Sequence, residues 1–143
     1  MRGLLGELIS ERHQLTVADM EAGLEHLSRS DGTLRHIDLL LVVLEPYRKA
    51  LETGRRTHAL ASQLGIGRIG AVVSKVRDET ERREVETFAE GLGMPVLGVI
   101  PYDEAVRTAD REGVAVIERF PDSPSVRGVA DLLNAVERTR ATV

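Results

Sequence analysis

The sequence predicts an α/β domain built on an open parallel sheet with flanking helices. Three observations carry this expectation. Leu15–Asp19, Ile37–Leu44, Ile69–Ser74 and Val96–Ile100 are rich in leucine and β-branched residues, and most are nearly continuous apolar runs. Such runs suit strands covered on both faces. The segments between them carry apolar residues at helical spacing. Glycines and prolines fall at the joints, so strands and helices alternate as they do in a parallel α/β sheet.

Each element has its own local reason. A first helix is expected over Gly3–Ser10, before the Leu15–Asp19 strand, and a short helix or loop precedes Ile37–Leu44. Leu51, Gly54, Ala61 and Leu64 then recur at steps of three and seven, and Gly65 ends that helix. Val85, Phe88, Ala89 and Leu92 form the next stripe, closed by Gly91 and Gly93, with Pro95 just ahead of the fourth strand. The charged run Arg77–Glu86 reads as the wet face and first turn of this helix. Asp103 can cap a short helix over Glu104–Asp110. Ser123 followed by Pro124 opens the last helix, with Val126, Val129, Ala130, Leu133 and Val136 as its apolar stripe.

The whole chain, 1–143, reads as a single domain, because 143 residues suit one core and leave little room for two. With no cysteine, disulfides, thiolate metal sites and cysteine nucleophiles are excluded within the sequence. A net charge of −4 offers no basic field for nucleic acid. Only two tyrosines and two phenylalanines occur, too few for a base-stacking platform along a single strand. The longest apolar run, Ile37–Leu44, contains Asp38 and is far shorter than a membrane span. Met1–Glu11 lacks the continuous apolar stretch and cleavage site of a signal peptide. A cytoplasmic location, without nucleic-acid or membrane partners, is the expectation.

Ligands of open α/β sheets sit beyond the carboxyl ends of the strands. The residues there are Asp19 with Gly23, then Glu45-Pro46, Ser74-Lys75 and Pro101-Tyr102-Asp103. A carboxylate at a strand end can hold a water on Mg²⁺. A glycine four residues on lets a backbone N–H approach a terminal phosphate and respond when it leaves. Together the set reads as half of a nucleotide site. Gly65-Ile66-Gly67-Arg68-Ile69-Gly70 spells a dinucleotide fingerprint but follows a helix and opens a strand, the reverse of what that fingerprint needs. Among His13, His26, His36 and His58 no metal-ligand spacing occurs, and Glu25-His26 is the one pair close to Gly23. No nucleophile elbow is present. A receiver-like signalling domain would want an early acidic pair and a lysine followed by proline, whereas Lys75 is followed by Val76.

Asp19–Arg29 (DMEAGLEHLSR) resembles the carbon monoxide dehydrogenase maturation ATPases of the CooC type, within the MinD/ParA-like deviant-Walker ATPases. The likeness continues through DLLLVVLEPYRKALETGRR, GAVVSKV and VLGVIPYDEAVRTADREG, four motifs in the family's order over nearly the whole chain. The resemblance implies an ATP- or ADP-binding switch that uses Mg²⁺. It implies that Asp19 helps position the metal and that Gly23 belongs to the γ-phosphate switch. It places Ser74, where the family usually has asparagine, and Lys75 beside the base. Pro101, Tyr102 and Asp103 would line the base's other side. Nucleotide-dependent dimerisation and nickel delivery to a client metalloenzyme are further implications.

The family's phosphate loop and Cys-x-Cys metal pair have no match here. The two lysines, Lys49 and Lys75, follow no glycine-rich run. The resemblance therefore points to a truncated, SIMIBI-like P-loop NTPase fold, its C-terminal part, with no catalytic residue of its own. Without phosphate-loop donors, phosphoryl transfer loses most of its positioning, and no ATP hydrolysis by the chain alone is expected. The absent phosphate-loop strand would lie between Leu15–Asp19 and Ile37–Leu44. Those two strands would then pair directly, or a second chain, a homodimer partner or a complementing N-terminal chain, would fill the gap. A non-enzymatic dimerisation or partner-binding module is the alternative reading.

Overall fold

A computed structural model describes residues 15–20 and 37–140. Among them, β1 (Leu40–Leu44), β2 (Ile69–Val76) and β3 (Val96–Pro101) form a parallel sheet in that order. Helix α1 (Arg48–Gln63) connects β1 to β2, and α2 (Glu79–Gly91) connects β2 to β3. After β3 come α3 (Glu104–Glu112), the short α4 (Val116–Arg119) and α5 (Pro124–Arg140). This is the predicted open parallel sheet with flanking helices.

The strands sort their side chains by alternation. Val42 and Leu44 of β1 are buried on one face with Ala71 and Val73 of β2, and α1 and α2 supply Leu51, Val85, Phe88 and Ala89 against them. A Cβ at Gly54 would collide with Leu44 Cδ2, so glycine lets α1 lie close on β1. On the opposite face α5 packs over β3. A Cβ at Gly128 would sit 2.7 Å from the Val99 carbonyl oxygen, and one at Gly98 would sit 2.9 Å from Leu132 Cβ. Helix α5 is also held at its far end, where Arg68 Nη2 donates to the Thr139 carbonyl at 2.7 Å. The guanidinium there meets the negative end of the helix dipole.

The punctuation acts as expected. Gly65 and Gly113 follow α1 and α3 with φ of 79° and 69°. Asp78 caps α2 by accepting from the Glu81 N–H at 2.8 Å, within the charged run that stays solvated. The false fingerprint at Gly65–Gly70 does join a helix to a strand.

Several expectations need correction. Leu15–Asp19 is not a strand: it belongs to no ladder, and Leu15 and Val17 are 41% and 80% exposed. A strand needs a neighbour for its N–H and C=O groups, and the ladders of β1–β3 do not include this segment. Direct pairing of Leu15–Asp19 with Ile37–Leu44 is therefore not formed. β1 begins at Leu40, and Ile37, Leu40 and Met20 all pack on a small cluster of Ala61 and Ile66. β2 and β3 run on to Val76 and Pro101, and α3 runs on to Glu112. On α5 the exposed residues include Val129 and Leu133 of the predicted stripe, because close approach at Gly128 turns Leu132 onto the sheet. The Gly3–Ser10 helix, Gly23 and Glu25-His26 lie outside the described residues.

Candidate functional site

Ser74, Lys75, Pro101, Tyr102 and Asp103 meet at the carboxyl ends of β2 and β3. Ser74 pairs with Ile100 and Val76 with Pro101, so Lys75 is the extra residue of a bulge. The Tyr102 N–H continues the connection by donating to the Val76 carbonyl at 2.9 Å. Lys75 has φ of 58°, the one non-glycine residue at positive φ among the described residues. That conformation costs an L-residue about 1–2 kcal/mol, and such strain concentrates at functional edges. The bulge sends Lys75 towards β1, where Nζ donates to Glu45 Oε1 at 2.7 Å.

Tyr102 forms the aromatic part of this edge. The Arg77 guanidinium lies over its ring, 4.7 Å from the centroid, a cation–π contact. The Tyr102 hydroxyl donates to Glu104 Oε2 at 3.2 Å and accepts from Arg107 Nη1 at 3.5 Å. Arg77 entered the sequence reading only as the start of a solvated charged run, because the bulge that brings it over Tyr102 leaves no local signal.

Asp103 is committed to the protein itself. Its Oδ1 accepts from the Ala105 N–H at 2.9 Å, capping α3, and its Oδ2 accepts from the Ser125 N–H at 3.0 Å in the first turn of α5. The Ser125 N–H above all, then the Ser125, Ala105 and Ser123 hydrogen bonds, hold its carboxyl at about 2, below the ordinary 3.8. One carboxylate thus satisfies donors at two helix N-termini. Ser123 and Ser125, buried and 3.1 Å apart through their hydroxyl oxygens, complete the knot. The Ser123-Pro124 signal marked the helix start but not this partner.

Asp19 is not brought to this edge. It is exposed, and Met20 beside it packs on the cluster of Ala61, Ile66, Leu40 and Ile69. Leu40 and Ile69 are the first residues of β1 and β2, so Met20 lies at the sheet's amino end. A hollow of about 500 Å³ lies at that same end, lined by Leu39, His58, Arg68, Leu97 and Thr139 among others. Its Arg68 is engaged by the end of α5. Among the described residues no group of three His, Cys, Asp or Glu is placed to hold a metal ion. Among them, too, no helix is long and apolar enough to cross a membrane.

Ser74 offers a hydroxyl and Tyr102 and Pro101 offer ring surfaces, while Lys75 is paired with Glu45 and Asp103 has both oxygens engaged. A parallel α/β sheet that presents such groups at its carboxyl edge defines a nucleotide-binding type of domain. The family described as the CobQ/CobB/MinD/ParA nucleotide binding domain matches residues 4–116, and the chain belongs to it. An uncharacterized ATP-binding protein of Methanocaldococcus jannaschii is 37% identical over 99% of this chain and 53% of its own length. The carbon monoxide dehydrogenase accessory protein CooC of Rhodospirillum rubrum is 33% identical over 94% of this chain and 49% of its own length. The chain thus spans about half the length of these curated relatives. The Aquifex aeolicus MinD cell division protein shares the fold, with a TM-score of 0.62 at 17% identity over 73% of this chain and 46% of that one. The Pyrococcus horikoshii MinD complexed with Mg-ADP gives 0.56 at 21% identity over 71% of this chain and 42% of that one.

Proposed function

We propose that the chain is the base-side, C-terminal half of a MinD/ParA-like ATP-binding switch. The observation that carries this reading is the edge where the Ser74-Lys75 bulge meets Pro101-Tyr102. Ser74, Pro101 and Tyr102 would hold the base, and Lys75 and Asp103 would shape the edge. ATP or ADP with Mg²⁺ is the cofactor, as the Mg-ADP held by the P. horikoshii relative suggests. When bound, Mg²⁺ neutralises phosphate charge. Asp19 and Gly23 take the metal and γ-phosphate roles only in a completed sheet that carries Leu15–Asp19 to the same edge. The chain alone hydrolyses no ATP. The likeness to the R. rubrum carbon monoxide dehydrogenase accessory protein supports a role beside a client metalloenzyme, and nickel supply in the cytoplasm belongs to the same proposal. Nucleotide-linked dimerisation belongs to the same reading.

Calorimetric titration with ADP and ATP, with NMR of the same samples, tests this. The expected result is weak binding, with shifts at Ser74, Lys75, Arg77 and Tyr102 and no phosphate release. No binding at about millimolar nucleotide removes the reading. The open edge of β1 would then favour a non-enzymatic partner-binding module in its place.

A further inference from the structure

The hollow at the amino end of the sheet lies at the opposite end from Ser74 and Tyr102 and takes no part in the proposed nucleotide site. At about 500 Å³ it has the size of a small-molecule pocket. Its apolar walls are Leu39, Ile66, Ile69, Pro95 and Leu97. Leu97 leans across the start of β2, where a Cβ on Gly70 would come within 2.5 Å of Leu97 Cδ1. The rim is open at Gly67 and Gly93, since a Cβ on either would meet nothing within 4 Å.

The charge of this lining is one-sided. Among the described residues that form it, Arg68 carries a full positive charge, His58 adds an imidazole, and no Asp or Glu appears, although the chain carries a net charge of −4. Arg55, Arg56, Arg82, Arg83, Arg107 and Arg119 each meet a glutamate. Arg68 is half-buried, and its Nη2 donates to a neutral group, the Thr139 carbonyl. A guanidinium has further N–H donors to offer beyond that one bond. The nearby helix ends do not reverse the sign. The N–H groups of Leu64, Gly65 and Ile66 close on the last carbonyls of α1, and those of Leu92, Gly93 and Met94 do so at α2. The unneutralised charge of the hollow is therefore positive.

We propose that the hollow binds a small amphipathic anion, an aliphatic chain that ends in a carboxylate. The head pairs with the remaining nitrogens of the Arg68 guanidinium, and the chain lies against Leu39, Pro95 and Leu97. A charge-assisted bond is about twice as strong as a neutral one, so a carboxylate head gains more here than a hydroxyl. An inorganic anion would leave the apolar wall wet, and a plain hydrocarbon would leave the guanidinium without a counter-charge. Because Arg68 also holds the last turn of α5, an occupied hollow braces that helix against the sheet.

Octanoate is the probe, with 1-octanol as the chain without the charge and acetate as the charge without the chain. The full chain is titrated with each and followed by NMR. Octanoate should bind with a Kd of about 1 mM or tighter. Shifts are expected at the Arg68 Nε–H and at the backbone of Gly67, Arg68 and Leu97, with Ser74 and Tyr102 unmoved. Octanol and acetate should each bind about tenfold more weakly or worse. With octanoate at about ten times its Kd, the melting temperature should rise by about 3–6 °C. Arg68→Gln removes the charge, and Gly67→Leu fills the open rim while leaving Arg68 in place. Both should weaken octanoate about tenfold or more. Circular dichroism of Gly67→Leu should match the parent, so this variant decides the matter if Arg68→Gln loosens α5. Any of four results overturns the proposal: no octanoate binding at about 10 mM, octanol or acetate binding as tightly as octanoate, shifts confined to other surfaces, or unchanged affinity in Gly67→Leu. Each of these leaves nucleotide binding at the far end of the sheet to be judged separately.

Discussion

β1 and β3 flank the same central strand and are secured in opposite ways. No residue of β3 is exposed. The core cluster packs against Val99, α5 closes on Gly98, and Asp103 just beyond the strand ties two helix starts. β1 relies on one face alone, where Leu44 is fully buried, while Val43 beside it is mostly exposed. Stability and availability are thus separated by a single residue step along β1.

The largest effect should come from Leu44→Ala, which removes a buried side chain under Gly54 and should cost about 3 kcal/mol. Val43→Ala should cost less than about 0.5 kcal/mol. Urea melts of the pair check both values. An equal cost would mean that the outer face of β1 is filled in solution.

Next comes Gly128→Val, whose Cβ meets backbone atoms of Val99 and Ile100 that cannot swing aside. It should destabilise by about 2–3 kcal/mol. Gly54→Ala meets only the end of the Leu44 side chain and should cost about 1 kcal/mol. Denaturant midpoints of the two variants should keep that order.

Asp103→Ala should cost about 1–2 kcal/mol by uncapping α3 and the start of α5. Its carboxyl is held at about 2 in the fold against an ordinary 3.8. Its contribution is therefore full above the ordinary value and is lost as the pH falls through the folded one. Thermal melts between those two values should show a shallower acid decline in the variant than in the parent.

A small effect of the opposite sign is expected at Lys75→Gly. Relief of the positive φ contributes about 1 kcal/mol, and the exposed pair with Glu45 that is lost is worth about 0–1 kcal/mol. The melting temperature should rise slightly or stay level, whereas Lys75→Val, with a β-branched side chain at φ of 58°, should lower it.

The strands and caps were legible because they depend on near neighbours. The apolar runs at 37–44, 69–74 and 96–100 announce buried strands, and Asp103, Gly65 and Ser123-Pro124 announce helix ends. Leu15–Asp19 shows where local pattern stops. The run carries Leu15, Val17 and Ala18, but a strand also needs a partner in the sheet, and no local pattern supplies one. Asp19 was placed at the strand edge by its spacing to Gly23 and by the resemblance, and in the structure it stands exposed beside Met20 at the sheet's amino end. The link from Asp103 to Ser125 spans 22 residues and the one from Arg68 to Thr139 spans 71, so neither leaves a local trace. Lys75 at positive φ had no glycine to signal it.

Helix α5 is moored at both ends, by Asp103 at Ser125 and by Arg68 at Thr139. A rod fixed at two points cannot peel away gradually from either end. It detaches when both moorings release, so the β3 half should open as one cooperative unit near the free energy of global unfolding. Among the described residues no such rod crosses the outer face of β1, which should breathe at lower energy. In a limited digest, the first cuts should therefore fall on the β1 side, and the last helix should outlast them despite lying nearest the end of the described chain.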